Sequence, residues 1–206
     1  MAPPEVLWRR AAGAKRRGPL IVLLHGNGAD EANIFPLGEI FPAGATIAAP
    51  RGPVVEDAGF RWYAHHAVGK PIAASLADSV ARLETWLDAQ AATASGVWLI
   101  GFSGGAMIAG ALALHAPQRY AGIAMLHGTL PFDAGLPLER DRLAGNEVFY
   151  GYGSDDTVMP RALVDRSTAY LRDESGANVV VREYRAAHEI PLAEARDLER
   201  WYASLT

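Results

Sequence analysis

The chain has 206 residues, of which 50% are hydrophobic and 20% charged, a balance typical of a globular protein with a buried core. Its 19 basic and 23 acidic residues give a formal net charge of -4, which excludes a broad basic surface for nucleic acid. The chain contains no cysteine, so disulfides, thiolate nucleophiles and cysteine-ligated metals are excluded as well.

The N-terminal segment carries basic side chains but no apolar stretch of the kind that forms the core of a secretory signal peptide. The basic residues are Arg9, Arg10, Lys15, Arg16 and Arg17. We interpret them as a solvated face beside the first strands. With no targeting segment recognised, we expect a cytoplasmic protein.

Short apolar runs alternate with stretches of helical periodicity along the rest of the chain. The predicted strands cover residues 20–26, 46–50, 97–102, 120–128, 146–153 and 178–184. The predicted helices cover residues 71–94, 105–116, 161–175 and 191–205. This alternation predicts one α/β domain over residues 1–206, with a mostly parallel sheet and helices on both faces. In such sheets the ligand site lies beyond the carboxyl ends of the strands.

Residues 97–114 form an uncharged stretch long enough for a transmembrane helix. However, Gly101, Gly104 and Gly105 interrupt it, and each glycine inside a helix costs about 1 kcal/mol relative to alanine. The residues before these glycines favour a strand and those after them favour a helix. We therefore predict a buried strand, a tight turn and a buried helix, with no stable membrane insertion.

The predicted turn matches the pattern G-x-S-x-G, with Gly101, Ser103 and Gly105 at the fixed positions. Between a strand and a helix, this pattern is typical of a nucleophile elbow, in which a sharp turn exposes the serine. The residues two before and two after the serine crowd each other, so both must be small. The N-terminus of the following helix favours negative charge near the serine.

A serine hydroxyl needs a histidine base, and an acid must orient that histidine. Three histidines follow the serine, namely His115, His127 and His188. When a nucleophile elbow supplies the serine, the acid and then the histidine follow it along the chain. Only His188 leaves room for an acid between Ser103 and the histidine, at the end of an intervening strand. Asp155 and Asp156 both follow the strand 146–153, and their positions alone do not decide between them.

Six blocks of sequence point to a known family. In chain order they are LLHGNGADEANIFPL, APRGPV, GFRWYAH, GFSGGAM, GSDDTVMP and AHEI. Together they resemble the phospholipase/carboxylesterase group of α/β-hydrolases, which includes acyl-protein thioesterases and small bacterial serine esterases. The resemblance extends over residues 20–202. It implies an α/β-hydrolase fold, a serine-hydrolase activity, and no metal or cofactor.

The resemblance also implies individual roles for the candidate residues. Ser103 corresponds to the nucleophile of the family and His188 to its base. In the family, the catalytic aspartate is followed by valine two residues later and by proline four residues later. Val158 and Pro160 stand at these positions relative to Asp156, so the resemblance selects Asp156.

The backbone N–H groups of Asn27 and Gly104 correspond to the oxyanion hole, whose donors must point to where negative charge develops. We expect His25 to order the Asn27 loop through a side-chain hydrogen bond. Three positions depart from the family pattern. Most relatives have glutamine at Gly104, glycine is frequent at Ala187, and serine is frequent at His127.

The substrate pocket is less clearly marked in the sequence. The candidate lining residues are Trp62, Tyr63, His127 and Met159. Residues 128–147 leave no room for a large lid, so we expect an open cleft for small, soluble acyl esters. We therefore predict a serine carboxylic-ester hydrolase with a small-molecule ester as its substrate. An acyl thioesterase, a lysophospholipase, a non-catalytic binding protein on the same fold and a homo-oligomer all remain open.

Overall fold

The computed structural model describes residues 3–11, 18–56 and 58–206, so Lys15, Arg16 and Arg17 of the basic segment lie outside the described residues. The strands are β1 (Val6–Arg9), β2 (Leu20–Leu24), β3 (Thr46–Pro50), β4 (Val54–Glu56), β5 (Gly59–Arg61), β6 (His65–Ala67), β7 (Lys70–Pro71), β8 (Val97–Phe102), β9 (Gly122–Leu126), β10 (Glu147–Gly153) and β11 (Asn178–Tyr184). The α-helices are α1 (Glu31–Ile34), α2 (Ala73–Ala91), α3 (Gly104–His115), α4 (Arg161–Ala169) and α5 (Leu192–Ala203).

The central sheet has the strand order β1-β3-β2-β8-β9-β10-β11. Its pairs are parallel except that β1 runs antiparallel to β3 at one edge. This arrangement confirms the predicted mostly parallel sheet, in which β8 lies between β2 and β9 and carries the serine turn at its carboxyl end. That residues 1–206 form one domain stays a prediction.

Strand β1 was not predicted, and it changes the interpretation of the basic segment. Arg9 lies in this strand, and its guanidinium donates hydrogen bonds to the carbonyl oxygens of Gly38 and Phe41 at 2.9 and 3.1 Å. Arg10 is exposed, and its guanidinium carbon lies 3.8 Å from the ring centre of Trp8. The prediction of a solvated face was therefore wrong for Arg9, because its charged group bridges the edge strand to the 3-10 helix (Phe35–Ile40) after α1 and to Phe41 at its end.

Helices cover both faces of the sheet, as predicted. Leu20, Val22 and Leu24 of β2 pack into one core cluster with residues of α2, α3 and α4, whereas Ile21 and Leu23 pack into a second cluster with residues of α1 and α5. Every residue of α3 from 104 to 114 is buried, which explains its uniformly apolar sequence. Among the described residues, none of the helices has the length and apolar character needed to span a membrane.

Two short hairpins, β4–β5 and β6–β7, fill the segment between β3 and α2 and were not predicted. Their strands have two or three residues each, too few to show an alternating pattern. Residues 127–146 contain no helix or strand, so the connection between β9 and β10 carries no large lid. The short connection leaves the carboxyl edge of the sheet accessible there, whereas Glu56, Arg61 and His65 of the hairpins border the cleft at this edge.

Candidate active site

Ser103 occupies a sharp turn between β8 and α3. Its backbone has φ 54° and ψ -116°, a conformation that residues other than glycine rarely adopt. A side chain at Gly105 would overlap the carbonyl oxygen of Leu24, and one at Gly101 would overlap the carbonyl oxygen of Gly105. The backbone N–H of Ser103 donates to the carbonyl oxygen of Leu126 at 2.9 Å, which ties the turn to β9. The two glycines thus permit the strained turn that exposes the hydroxyl.

The structure brings Ser103, His188 and Asp156 together from three loops at the carboxyl edge of the sheet. The Nε2 atom of His188 lies 2.8 Å from the Ser103 hydroxyl oxygen, and its Nδ1 atom lies 2.8 Å from Oδ2 of Asp156. The side chain of His188 is 19% exposed and that of Asp156 only 4%. In the series of Ser103, His188 and Asp156, the serine side is therefore accessible to solvent, whereas the Asp156 carboxylate is buried.

The carboxylate of Asp156 is held on both oxygens. Its Oδ1 accepts hydrogen bonds from the backbone N–H groups of Val158 and Met159 at 2.8 and 3.1 Å. Its Oδ2 faces the Nδ1 atoms of His188 and His127 at 2.8 and 3.2 Å. Burial tends to raise the pKa of Asp156, but the hydrogen bonds from His188 and the two backbone groups outweigh it, so the pKa lies below its usual value. The carboxylate is thus ionised and fixed in orientation.

Asp155, the other aspartate that chain order left open, is exposed. Its Oδ1 accepts a hydrogen bond from the Ser154 hydroxyl at 3.2 Å, and its backbone N–H donates to the carbonyl oxygen of Ala186. It makes no described hydrogen bond to His188. The geometry therefore favours Asp156 as the partner of the histidine.

The loop that carries Asn27 is ordered by His25, which is fully buried. The Gly52 N–H donates to Nε2 of His25 at 2.9 Å, so Nδ1 carries the proton and donates to the carbonyl oxygen of Gly26 at 2.7 Å. Burial lowers the pKa of His25, in agreement with a neutral ring. The indole N–H of Trp62 donates to the His25 carbonyl oxygen at 2.8 Å. These contacts fix the backbone on which the Asn27 N–H depends.

Asn27 and Gly104, the two predicted oxyanion donors, lie beside Ser103 in the same cleft. The side chain of Asn27 packs against the α-carbon of Gly104, and a side chain at position 104 would overlap its Oδ1 atom. A glutamine at position 104, as in the family pattern, would therefore require the Asn27 side chain to move. Here the Asn27 side chain fills the space that the first atoms of a glutamine would need.

The cleft around Ser103 has a volume of about 340 Å³. Of the four candidate lining residues, Tyr63 and Met159 lie at the cleft. Trp62 does not, because it is 1% exposed, is held by its bond to His25 and borders a separate hollow. His127 does not line the cleft either, because its ring is enclosed behind Asp156. Lining residues that were not predicted include Glu56, Arg61, His65, Val68, Met107 and Thr129.

Glu194 is a buried acidic residue next to the site that was not predicted. Its Oε2 atom lies 3.0 Å from Nε2 of His127, and its side chain is fully buried. The sequence pattern of the last helix could have revealed it, because Glu194 lies on the same buried face as Leu198, Trp201 and Tyr202. A carboxylate on an otherwise apolar helix face needs a polar partner.

His127, Asp156 and His188 present possible metal-ligand atoms within 4.8 Å of one another. Each ring nitrogen in this group already faces a hydrogen-bonding partner, with Ser103 and Asp156 on one ring and Asp156 and Glu194 on the other. We therefore describe the group as a hydrogen-bonded chain.

The mostly parallel sheet and the strained serine turn that joins β8 to α3 define an α/β-hydrolase fold. The chain belongs to the phospholipase/carboxylesterase family, a family of esterase-type hydrolases, whose profile matches residues 10–204. MhqD of Bacillus subtilis (strain 168), a protein named only at the level of a hydrolase, is 28% identical over 187 residues, which cover 89% of this chain and 92% of MhqD.

Two solved structures extend the comparison. The Bacillus cereus carboxylesterase is 26% identical, with a TM-score of 0.86 over 98% of this chain and 95% of its own. Acyl-protein thioesterase 2 of Zea mays has a TM-score of 0.78 over 98% of this chain and 99% of its own. Its identity is 21%, so this second likeness concerns the fold alone.

Proposed function

We propose that the protein is a serine carboxylic-ester hydrolase in which Ser103 is the nucleophile, His188 the general base and Asp156 the residue that orients His188. The observation that carries the proposal is the continuous line of contacts from the Ser103 hydroxyl through both ring nitrogens of His188 to Asp156, each 2.8 Å long. An ionised carboxylate at Nδ1 keeps the proton on that nitrogen. Nε2 is then free to accept the serine proton.

In the proposed reaction, Ser103 Oγ attacks the acyl carbon while its proton passes to Nε2 of His188. The backbone N–H groups of Asn27 and Gly104 donate to the oxyanion of the tetrahedral intermediate. The intermediate collapses, and the departing alcohol takes the proton from His188. Water then loses a proton to His188 and attacks the acyl-enzyme. The second intermediate releases the carboxylic acid, and the proton returns to Ser103.

Features of the cleft support small, soluble esters as substrates. Its volume of about 340 Å³ lies at the small end of the range of roughly 300–1,000 Å³ for ligand pockets. Each methylene buried there contributes about 0.8 kcal/mol, and only while apolar wall remains to receive it. The apolar wall includes Tyr63, Val68 and Met159. We expect acyl chains of about two to eight carbons to be preferred.

The substrate preference is tested with kcat/KM for p-nitrophenyl acetate, butyrate, octanoate and palmitate, together with a triolein emulsion. We expect kcat/KM to rise along the series and to fall before palmitate. A preference for palmitate, or activation at the emulsion surface, would contradict the small-ester proposal. It would favour the acyl-thioesterase or lysophospholipase alternative, which uses the same three residues.

The serine mechanism is tested by labelling the protein with a fluorophosphonate and mapping the modified residue. We expect the label on Ser103, and loss of p-nitrophenyl acetate hydrolysis in Ser103→Ala by a factor on the order of a million. The base must be unprotonated, so hydrolysis should fall toward acid pH. If the wild type takes no label and cleaves no ester, the protein is a non-catalytic binding protein on this fold. A rate that stays constant from pH 5 to 8 would argue against a histidine base.

A further inference from the structure

A chain of buried side chains continues beyond Asp156, away from the cleft. His127 and Glu194 are both fully buried. The Nδ1 atom of His127 lies 3.2 Å from Oδ2 of Asp156, and its Nε2 atom lies 3.0 Å from Oε2 of Glu194. Neither residue lines the cleft, and nothing in the proposed reaction uses them.

The backbone is arranged to accommodate this pair. His127 has a φ of 48°, and its N–H donates to the carbonyl oxygen of Gly151 in β10 at 2.8 Å. A side chain at Gly151 would overlap Oε1 of Glu194, so the glycine makes room for the carboxylate. Glu194 lies in the first turn of α5, where the helix end favours negative charge. Three separate elements thus bring one imidazole between two carboxylates.

The positions of the protons follow from these contacts. Asp156 is ionised, so the Nδ1 atom of His127 carries a proton and donates it to Oδ2. The Nε2 atom faces a second carboxylate oxygen, and a proton must lie between these two atoms for a hydrogen bond to form. The buried pair of His127 and Glu194 therefore retains one proton more than a neutral imidazole beside an ionised glutamate.

The direction of both pKa values agrees with this count. Burial tends to lower the pKa of His127, but the hydrogen bonds and charges of Glu194 and Asp156 outweigh it and raise the value. Burial raises the pKa of Glu194. In either position of the shared proton, the His127 N–H directed at Asp156 is preserved.

We propose that His127 and Glu194 are positioning residues for the hydrolytic site, because His127 supplies the second N–H donor to the same Asp156 oxygen that holds His188. This inference rests on the function proposed above. With His127, four N–H donors surround the Asp156 carboxylate, two on each oxygen, so it cannot rotate away from His188. Glu194 acts indirectly, because it contacts His127 and fixes the orientation and protonation of that ring.

Two substitutions at His127, with introduced side chains of nearly equal size, isolate the contribution of its N–H to Asp156. His127→Asn places an amide N–H where Nδ1 stands, and asparagine tolerates a positive φ. His127→Leu removes the donor. Both variants leave Glu194 without its partner, so the difference between them reports the N–H to Asp156. We expect His127→Leu to reduce kcat for p-nitrophenyl acetate about tenfold or more relative to His127→Asn, with KM little changed.

A leucine with positive φ is strained, so a second pair of variants leaves the backbone at position 127 intact. In Glu194→Gln, an amide N–H replaces the shared proton at Nε2 of His127. In Glu194→Leu, that nitrogen has no partner. We expect Glu194→Gln to retain kcat within about threefold and Glu194→Leu to lose more. In the His127→Leu background, Glu194→Gln should change kcat no further, because Glu194 acts through His127.

The pH profile of kcat/KM separates a positioning role from a general loss of packing. Without the His127 donor, Asp156 becomes a stronger hydrogen-bond acceptor toward His188, so the acid limb of the kcat/KM profile moves to higher pH. The limb should move in His127→Leu and stay in place in His127→Asn. The other groups that face His188, namely Ser103 and the ring of Phe102, are unchanged in both variants.

Circular dichroism and fluorophosphonate labelling establish that each variant is folded before rates are compared. If the wild type hydrolyses the ester and the two His127 variants share the same kcat and acid limb, the positioning role is refuted while the proposed function stands. If the wild type neither reacts with the label nor hydrolyses esters, the proposed function fails and the positioning role falls with it.

Discussion

Replacing Asp156 by asparagine should abolish most of the activity without changing the shape of the site. The two oxygens of Asp156 have different surroundings, and this asymmetry determines how an amide would lie. Oδ1 accepts from two backbone N–H groups, whereas Oδ2 faces two imidazole nitrogens. An amide nitrogen at the first position would oppose two donors, so the asparagine oxygen takes that position and its nitrogen faces the rings.

The magnitude follows from the tautomer that this orientation imposes. The amide nitrogen donates to Nδ1 of His188, so the proton of the neutral ring moves to Nε2. That nitrogen can then no longer accept the proton of Ser103, from which it is separated by 2.8 Å. The same change in a comparable triad lowers turnover by about 10⁴, or about 5.4 kcal/mol at 1.36 kcal/mol per tenfold change in rate.

The assay compares kcat/KM for p-nitrophenyl acetate in the wild type, Asp156→Asn and the matched control Asp155→Asn. Asp155 is exposed and its only described side-chain hydrogen bond is with Ser154, so we expect the control to stay within about twofold of the wild type. A loss of less than tenfold in Asp156→Asn, or an equal or larger loss in Asp155→Asn, would refute the reasoning.

Two further predictions concern the contact between Asn27 and Gly104 and the buried pair of His127 and Glu194. Gly104→Ala should lower kcat/KM, by less than the hundredfold or so that a lost oxyanion donor costs, because the new methyl group displaces the Asn27 side chain. The double variant Asn27→Ala/Gly104→Ala should recover most of the loss, and no recovery would contradict this contact. The folded state keeps a proton on His127 and Glu194 that the unfolded chain releases above the ordinary histidine pKa of about 6.5. The free energy of unfolding in urea should therefore decline from about pH 7 until the raised pKa of His127 is passed, by at most about 1.4 kcal/mol per pH unit. Asp156 and Asp197, the other acids near the pair, stay ionised in this range, so Glu194→Gln should lack the decline, and an equal slope in both proteins would disprove the shared proton.

The sequence by itself determined those features that depend on neighbouring residues. Gly101 and Gly105, two residues before and after Ser103, specify a sharp turn because a side chain at either position would overlap the backbone. The alternation of apolar runs with helical periodicity specifies a doubly covered sheet, since such strands are buried on both faces. The order of the residues along the chain predicts His188 as the base, and the resemblance to the family indicates Asp156 rather than Asp155. Each of these signals is contained in a short segment or in the order of segments.

Only the tertiary structure decided which side chains from distant segments meet. Trp62 is an aromatic residue in a block shared with the family, yet its bond to the His25 carbonyl directs it away from the cleft. His127 follows a strand, as a cleft residue would, but its positive φ and the space beside Gly151 direct the ring inward to Glu194. The pairing of His127 with Glu194 spans 67 residues. No local pattern encodes such a contact, because it depends on how α5 packs against the sheet.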